Sequence, residues 1–427
     1  MSLTDRLAQF ALTDARHLPD SAKRIMALSL IDWMGCAIAG RDEPVSHVVR
    51  RLAQDEGGAP QAHLVGGGQA PARMAALVNG TISHALDYDD THFAHIGHPS
   101  VVVVPSALAI AERCGADGAA LQDAALIGAE LSVRVGLWLG RGHYETGFHQ
   151  TATAGAFGAA AAAGRLLGFD ADQMAATLGL VATRASGLKA QFGTMGKPFN
   201  AGIAASNGVE AALLVANGLV PNPYALEDFG ASHADYNMSD ALEGIGSKWI
   251  FEDVSHKFHA CCHGLLAALE AFAEVAPERQ DIAAITVHTH PRWLSVCNQP
   301  DPQTGLGCKF SYRAVLAMAM AGHDTSRLET FSDGFAQAPE LVALRDRVQV
   351  VGDESVSETG THLVLRMNNG SEKRVAHDLL APMTFETRRA KIMAKATALM
   401  GSARAERVAR LVEGRDAPSC LARELAG

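Results

Sequence analysis

Acidic and imidazole side chains are concentrated between residues 84 and 98. Three carboxylates and four histidines lie in this stretch, and the apolar run Val101 to Val104 follows almost directly. Carboxylates and imidazoles gathered in this way shift one another's pKa values, and they can then serve as general acids and bases. Helix capping with a solvated loop is the structural alternative for such a cluster. We predict that the segment contributes acid–base groups to an active site.

Two further polar segments each stand directly before a predicted helix. In the first, Gly142 to Thr151, His149 and Thr151 would lie at the helix N-terminus, where free N–H groups attract anions. In the second, Gln191 to Asn200, Lys197 stands beside a helix start, and the glycine spacing is not that of a phosphate-binding P-loop. Both segments could therefore meet a carboxylate ligand. The structural alternatives are a satisfied N-cap histidine and a solvent-exposed lysine.

A fourth segment, His256 to Gly264, combines three histidines with the adjacent cysteines Cys261 and Cys262. That composition raises a zinc site as an alternative. Structural zinc sites space their cysteines as C-x₂-C, however, and no second pair of ligands follows in the sequence. We therefore expect a polar site without a metal ion.

Helices must position most of these segments. From Leu3 to about Gly246 apolar residues recur at helical spacing, and strand signals are almost absent. The many alanine and glycine residues in this region suit helices that pack backbone against backbone. The clearest predicted helices span residues 106–114, 121–137, 151–167 and 201–216.

The pattern changes after about residue 251. Beyond it the sequence predicts a strand at 285–290, a helix at 313–321 and a β-hairpin at 363–376. A last helical region spans 386–411. We therefore predict a mostly α protein, in which a large all-helical domain formed by both chain ends (1–254 and 381–427) carries an inserted, smaller α+β lid domain (255–380).

Composition excludes several classes of partner. The formal net charge is −10, so a nucleic-acid backbone is not the expected partner. The most apolar run, Ala152 to Gly164, is too short to cross a bilayer, and Met1 to Phe10 lacks the apolar core of a signal peptide. The seven cysteines show no paired spacing, which favours reduced thiols. We predict a cytoplasmic protein that binds neither nucleic acid nor membranes.

Taken in order, these segments resemble the MmgE/PrpD superfamily, which includes 2-methylcitrate dehydratase, cis-aconitate decarboxylase and iminodisuccinate epimerase. The most specific match is His84 to Thr91 together with the triplet His98-Pro99-Ser100. His149 followed by Thr151, and the run Gly193 to Pro198, support it. The resemblance implies a large helical domain with a smaller α+β lid domain, a homodimer, and a site that uses no metal and no organic cofactor.

The resemblance also implies which residues form the site. Carried over by position, the family's pocket residues would be Asp87, Thr91, His98, His149, Lys197 and Lys257, with Thr91 as a binding group and the others as catalytic groups. The remaining predicted substrate-binding groups are Tyr144, Thr151, Thr194, His259 and His263.

The implied reaction is a cofactor-independent abstraction of a proton α to a carboxylate of a small anionic di- or tricarboxylate. It would lead to dehydration, decarboxylation or epimerisation. Electrostatic stabilisation of the negative charge that accumulates on the carboxylate would come from lysines and a helix N-terminus. The alternatives are a metal-dependent hydrolase that uses the Asp/His cluster and a non-catalytic homologue.

Overall fold

The computed structural model describes residues 1–233 and 241–427, and most of them are helical. The chain forms two compact units, one of Met1–His256 with Met400–Gly427 and one of Lys257–Leu399. In the described residues the first unit is built almost entirely from helices, whereas the second combines helices with a four-stranded sheet. The predicted mostly α composition is therefore confirmed, and the predicted domain layout stays a prediction.

The first unit begins with a long series of helices. Up to residue 233 they are α1 (Leu3–Ala11), α2 (Asp20–Gly40), α3 (Pro44–Glu56), α4 (Ala72–Ser83), α5 (Ser100–Cys114), α6 (Gly118–Thr146), α7 (Gln150–Leu166), α8 (Ala171–Ala182), α9 (Gly196–Ala216) and α10 (Ala225–His233). Two short strands, β1 (Ala62–His63) and β2 (Gln69–Ala70), pair antiparallel between α3 and α4. These two strands are too short to leave an alternating pattern in the sequence.

The second unit is organised around a sheet with the strand order β4-β3-β5-β6. Its strands are β3 (Ile282–Thr289), β4 (Val348–Gly352), β5 (Gly360–Met367) and β6 (Glu372–Asp378). β3 runs parallel to β4 and antiparallel to β5, and β5 pairs antiparallel with β6 as the predicted hairpin. The sequence analysis did not predict β4.

Helices cover this sheet and continue beyond it. In chain order they are α11 (Leu266–Ala273), α12 (Arg292–Val296), α13 (Gly305–Cys308), α14 (Tyr312–Ala321), α15 (Asp333–Ala336), α16 (Pro339–Arg345) and α17 (Phe385–Met400). α11 packs on β5 and β6, and α14 packs on β4 and α16. The chain then returns to the first unit with α18 (Ser402–Glu413), which packs on α2, and α19 (Pro418–Ala426).

Close backbone contact explains the many glycines of the central helices. α7 packs against α5, α6 and α9, and α4 packs against α9. Where α6 meets α7, a Cβ atom on Gly158 would lie 2.4 Å from the Gly128 carbonyl oxygen. Where α4 meets α9, a Cβ atom on Gly80 would lie 3.0 Å from Gly202 Cα. Larger residues would push the helices apart, so the composition does reflect backbone-to-backbone packing.

Glycines with positive φ break one observed helix and separate two others. Gly140 (φ 70°) breaks α6, and its second segment continues to Thr146, beyond the predicted end at residue 137. Gly401 (φ 80°) separates α17 from α18, where the sequence analysis expected one region over 386–411. Glycine adopts this backbone conformation without the steric cost that other residues incur.

Among the described residues, α9 is the one helix that is long and apolar enough to cross a membrane, by length and composition alone. In its most apolar window 67% of the residues are buried inside the protein. Such burial is typical of a core helix. The apolar run that the sequence analysis singled out, 152–164, lies within α7 and is buried as well.

Candidate active site

Three helices of the first unit begin at residues that the sequence analysis singled out. α5 begins two residues after His98, α7 begins directly after its N-cap residue His149, and Lys197 is the second residue of α9. The N-terminal turn of a helix carries a partial positive charge, which favours anions. The three side chains belong to one cluster, described next, so three helix N-termini contribute positive potential to it.

A salt bridge and an imidazole form the centre of the cluster. Asp87 Oδ2 lies 2.6 Å from Lys197 Nζ, and Asp87 Oδ1 lies 3.4 Å from His98 Nε2. The side chains of Lys197 and Asp87 are 18% and 40% exposed, whereas that of His98 is 10% exposed. A solute can therefore reach the ammonium and the Asp87 carboxylate, behind which the imidazole is mostly shielded from water.

Asp89 bridges two imidazoles behind this centre. Its Oδ1 accepts a hydrogen bond from His84 Nδ1 and its Oδ2 accepts one from His98 Nδ1, each at 2.8 Å. Burial alone would raise the pKa of Asp89, but the charges and hydrogen bonds of the two imidazoles outweigh it and hold that pKa well below its usual range. Asp89 is therefore an ionised carboxylate, which can only accept, and both imidazoles donate through Nδ1.

His149 completes the cluster as a neutral imidazole. Burial, together with the positive charges of His84 and Lys197, holds the pKa of His149 well below its usual range. Asn200 Nδ2, a donor, lies 3.2 Å from His149 Nδ1, so Nδ1 accepts and the ring proton resides on Nε2. The His149 ring meets Phe192 edge-on, with 4.9 Å between ring centroids. His149 can thus offer an N–H to an anion at neutral pH.

The loop that carries the acidic residues holds two non-glycine residues in the left-handed region. These are Asp87 and Ile96, both with a φ of 51°. Aspartate tolerates this conformation, but a β-branched isoleucine does so rarely and at a cost. The His92 N–H, which donates to the Gly97 carbonyl at 2.8 Å, helps to hold the strained turn. Backbone strain of this kind persists where the surrounding structure enforces it, and it occurs often at functional sites.

Two buried hydroxyl groups hold the same loop through hydrogen bonds. Ser100 Oγ donates to Asp90 Oδ2 at 2.5 Å, and Thr151 Oγ1 accepts from the His98 backbone N–H at 3.1 Å. Burial, with the nearby charges of Asp32 and Asp89, raises the pKa of Asp90 to about 7. Thr151, which we predicted as a substrate-binding residue, is fully buried and supports the backbone of His98 instead of facing solvent.

Three other predicted residues lie at the edges of this arrangement. Thr91 pairs with Ser255 through backbone hydrogen bonds of 2.9 and 2.7 Å. The Tyr144 ring packs against the ammonium of Lys189, 3.9 Å from the ring centroid. Thr194 is exposed, and its Oγ1 accepts from the Gly196 N–H at 3.0 Å, which stabilises the turn before α9. Their roles in substrate binding stay predictions.

The remaining predicted residues belong to the second unit. Lys257 is its first residue and is 3% exposed. His259 Nδ1 lies 2.7 Å from Thr325 Oγ1, and its Nε2 lies 3.4 Å from Glu270 Oε1. His263 begins a short 3₁₀ turn. Their predicted contribution to catalysis or binding is likewise untested by these contacts.

The residues missing from the predicted site are His84, Asp89, Phe192 and Asn200. The segments that contain them were recognised, but the spacing of the three acids does not tell which one faces an imidazole. A usable signal was the histidine five residues before Asp89 and the one nine residues after it. Either could reach the same carboxylate if the loop folded back on itself, as it does.

Four side chains of this cluster have the spacing of a potential metal site. Among the described residues, His84, Asp87, Asp89 and His98 each offer a ligand atom, and these atoms lie within 4.8 Å of one another. The Cys261–Cys262 segment takes part in no such group within the described parts of the chain. Lys197 counts against a cation here because its ammonium already neutralises Asp87 at 2.6 Å.

Comparisons with known proteins identify the family. The MmgE/PrpD N-terminal domain model matches residues 5–231, and the MmgE/PrpD C-terminal domain model matches residues 259–416. Together these matches cover most of the chain. The protein therefore belongs to the MmgE/PrpD family, and the resemblance seen in the sequence is confirmed.

Several relatives carry the name cis-aconitate decarboxylase. The protein of that name from Aspergillus terreus is 27% identical over 383 residues, which span 80% of this chain and 77% of the relative. The human cis-aconitate decarboxylase is 29% identical over 260 residues, or 56% of this chain and 52% of the relative. The cis-aconitate decarboxylase-like protein oryM of Aspergillus oryzae is 25% identical over 426 residues, or 89% and 87%.

Proposed function

We propose that this protein is a cofactor-independent lyase that transfers a proton at the carbon next to a carboxylate of a small di- or tricarboxylate. The observation that carries the proposal is the array of Lys197, Asp87, His98 and Asp89, in which an imidazole stands between two carboxylates beside a reachable ammonium. Membership of the MmgE/PrpD family and the decarboxylase relatives support a lyase at the family level.

Charge complementarity supports an anionic substrate. Lys197 offers an ammonium, neutral His149 offers its Nε2–H, and both stand at helix N-termini. Preorganised donors of this kind stabilise negative charge that develops on a carboxylate during proton transfer. A substrate carboxylate would replace Asp87 as the partner of Lys197, or share the ammonium with it.

His98 is suited to deliver a proton. Its Nδ1–H is committed to Asp89, and Asp87 lies on the Nε2 side, so a second proton on Nε2 is stabilised by charge on both sides of the ring. An imidazolium in this position can protonate carbon through Nε2, and the neutral imidazole can take a proton back. The Nε2 atom is thus the acid–base atom of the proposed mechanism.

Decarboxylation of a β,γ-unsaturated acid such as cis-aconitate would use that proton directly. The C–C bond to the departing CO₂ breaks, and its electron pair forms a new C=C bond. The electrons of the old double bond then take up one proton at the far carbon, which bears another carboxylate. The tricarboxylate trianion and one proton give a dicarboxylate dianion and CO₂. The proton, which His98 supplies, is thus the only reactant besides the substrate.

Dehydration and epimerisation would begin with the reverse transfer. The neutral imidazole removes a proton α to a carboxylate. In dehydration, hydroxide then leaves from the β-carbon and takes up a proton to become water. In epimerisation, a second acid delivers a proton to the opposite face, and His98 releases the first proton to solvent. Lys197 and His149 would stabilise the same charge in each case. The product tells these reactions apart.

Turnover of a panel of acids tests the proposal. The purified protein is incubated with citrate-, aconitate- and aspartate-derived acids, and the products are followed by NMR. We expect one acid to lose CO₂ or water, and we expect His98→Asn and Lys197→Ala each to slow this turnover by orders of magnitude while the protein stays folded. Wild-type rates in both variants, or no turnover of any acid by the folded protein, would refute the proposal.

A metal-dependent hydrolase is a second candidate, because the ligand atoms of His84, Asp87, Asp89 and His98 lie within 4.8 Å of one another. Such a group would bind a divalent ion and activate a water molecule. Elemental analysis of the purified protein separates the candidates: stoichiometric zinc or iron, with activity lost to a chelator, would favour the hydrolase. Activity that survives the chelator in metal-free protein would favour the lyase.

The family resemblance also leads us to propose a cytoplasmic homodimer with a helical domain and an inserted α+β lid domain. Light scattering coupled to size exclusion tests the oligomeric state: a mass twice that of the 44.9 kDa chain is expected, and the mass of a single chain would contradict it.

A further inference from the structure

We propose that Asp89 is a positioning residue that sets the protonation state of His98, and that His84 tunes this effect through the other oxygen of the same carboxylate. The inference rests on the proposed function, since it describes how His98 is prepared for proton transfer. It adds two residues that would act without touching the substrate.

The geometry shows one carboxylate shared by two donors. Asp89 is 1% exposed, and its two oxygens lie 2.8 Å from His84 Nδ1 and 2.8 Å from His98 Nδ1. The two rings meet edge to face, with 4.6 Å between their centroids. Each oxygen of Asp89 thus accepts from one ring, and at 1% exposure the carboxylate is shielded from solvent.

Asp89 fixes which nitrogen of His98 reacts. An ionised carboxylate accepts a hydrogen bond, so it holds the proton of His98 on Nδ1 and leaves Nε2 to exchange its proton on the side of Asp87. The same negative charge stabilises the imidazolium that forms when Nε2 is protonated. A neutral amide in place of Asp89 would lose the charge and would permit the other tautomer.

His84 is placed to draw on the same charge. Its ring is buried, and its Nε2 has no hydrogen-bond partner among the described residues, so Asp89 is the polar group that orients it. The hydrogen bond from His84 stabilises the ionised carboxylate of Asp89 and takes up part of the negative charge that would otherwise act on His98. Removing the N–H of His84 would therefore leave more of the charge of Asp89 for His98.

These roles predict opposite shifts of one measurable quantity. In protein labelled at its 18 histidines, the difference spectrum against His98→Asn assigns the His98 ring, which is then titrated by ¹⁵N NMR without substrate. For Asp89→Asn we expect the midpoint of the His98 titration to move to lower pH by about 1–3 units, the effect of losing one adjacent opposite charge. For His84→Phe we expect it to move to higher pH.

Asp90→Asn is the matched control. Asp90 is as buried as Asp89 and would undergo the same carboxyl-to-amide replacement, but it accepts from Ser100 and not from an imidazole. Because its pKa is raised to about 7, Asp90 also carries little negative charge below that pH. We expect a much smaller shift of the His98 midpoint and an unchanged tautomer. A shift as large as that of Asp89→Asn would show that disturbance of the buried loop, and not the bridge, is responsible.

The outcomes separate this inference from the proposed function. An unchanged His98 midpoint and tautomer in Asp89→Asn, or shifts of the same sign in Asp89→Asn and His84→Phe, would overturn the inference and leave the lyase standing. If Asp89→Asn does not fold, His84→Phe by itself tests the inference: a His98 midpoint that moves to lower pH, or does not move, would overturn it. Where turnover is found, the kcat of Asp89→Asn should fall by on the order of 10⁴, as in the carboxylate–imidazole pair of the serine proteases. Absence of turnover in the wild type would refute the proposed lyase function and leave the inference about Asp89 standing.

Discussion

Replacing Lys197 with methionine separates a catalytic role of its charge from a structural one. Methionine keeps most of the apolar stem and removes the ammonium, whose Nζ lies 2.6 Å from Asp87 Oδ2. If that ammonium binds the substrate and stabilises charge in the transition state, activity should fall steeply while the free energy of unfolding hardly changes.

The structure gives the size of each effect. Asp87 is 40% exposed and Lys197 18% exposed, so water screens their salt bridge, and pairs of this kind contribute about 0.2–1 kcal/mol to stability. A preorganised donor aimed at developing negative charge is worth far more to the reaction. Its removal typically lowers kcat by about 10²–10³, equivalent to roughly 3–4 kcal/mol. The catalytic effect should therefore exceed the effect on stability several-fold.

Steady-state kinetics and urea unfolding measure the two effects on the same preparations. Lys197→Arg, which keeps the charge, should retain part of the activity, and Lys248→Met, which changes an exposed lysine, should behave like the wild type. A Lys197→Met variant with wild-type kcat/KM, or one whose loss of activity merely follows a loss of folded protein, would refute the assignment.

Three further predictions concern the buried surroundings of the site, and urea unfolding at several pH values checks them. Burial lowers the pKa of His95 from 6.5 to about 3. Between these pH values His95 is protonated in the unfolded state but not in the folded state, so the free energy of unfolding falls as the pH drops below about 6.5. His95→Phe should remove roughly 2 kcal/mol of that loss at pH 5; an unchanged pH profile would contradict it. The raised pKa of Asp90, about 7, gives the opposite pH dependence: the free energy of unfolding falls as the pH rises from 3.8 to about 7. Asp90→Asn should lack this pH dependence. Gly158→Ala should lower the free energy of unfolding by about 3 kcal/mol or more, because its Cβ would lie 2.4 Å from the Gly128 carbonyl oxygen. Gly142→Ala has open space around its Cβ and should leave the free energy of unfolding unchanged or raise it.

Periodicity predicted where the helices lie better than where they end. The alanine- and glycine-rich segments are the central helices, because small residues leave a clear signature of close packing. The break at Gly140 and the separation at Gly401 depend on a single left-handed residue each, and glycine occurs at many positions that adopt ordinary angles. Strand β4 was missed because its parallel pairing with β3 is non-local and leaves no hairpin signal.

The sequence analysis correctly placed two of the predicted site residues at helix starts. His149 and Lys197 could be placed there because the helix that follows each is strongly patterned. The loop before α5 is different, since the left-handed turn at Asp87 decides which carboxylate faces solvent and which is enclosed by imidazoles. No local pattern encodes that turn, so Asp89 was not recognised as the shared acceptor.

The central claim is that His98 Nε2 exchanges a proton with a carbon next to a carboxylate, and solvent deuterium tests it most directly. The acid that the enzyme converts is incubated in D₂O, and the product and the remaining substrate are examined by NMR. We predict deuterium at a carbon α to a carboxylate with the wild type, and none with a folded His98→Asn variant. Incorporation that persists in His98→Asn, or decarboxylation or epimerisation by the wild type without any deuterium at that carbon, would contradict the account.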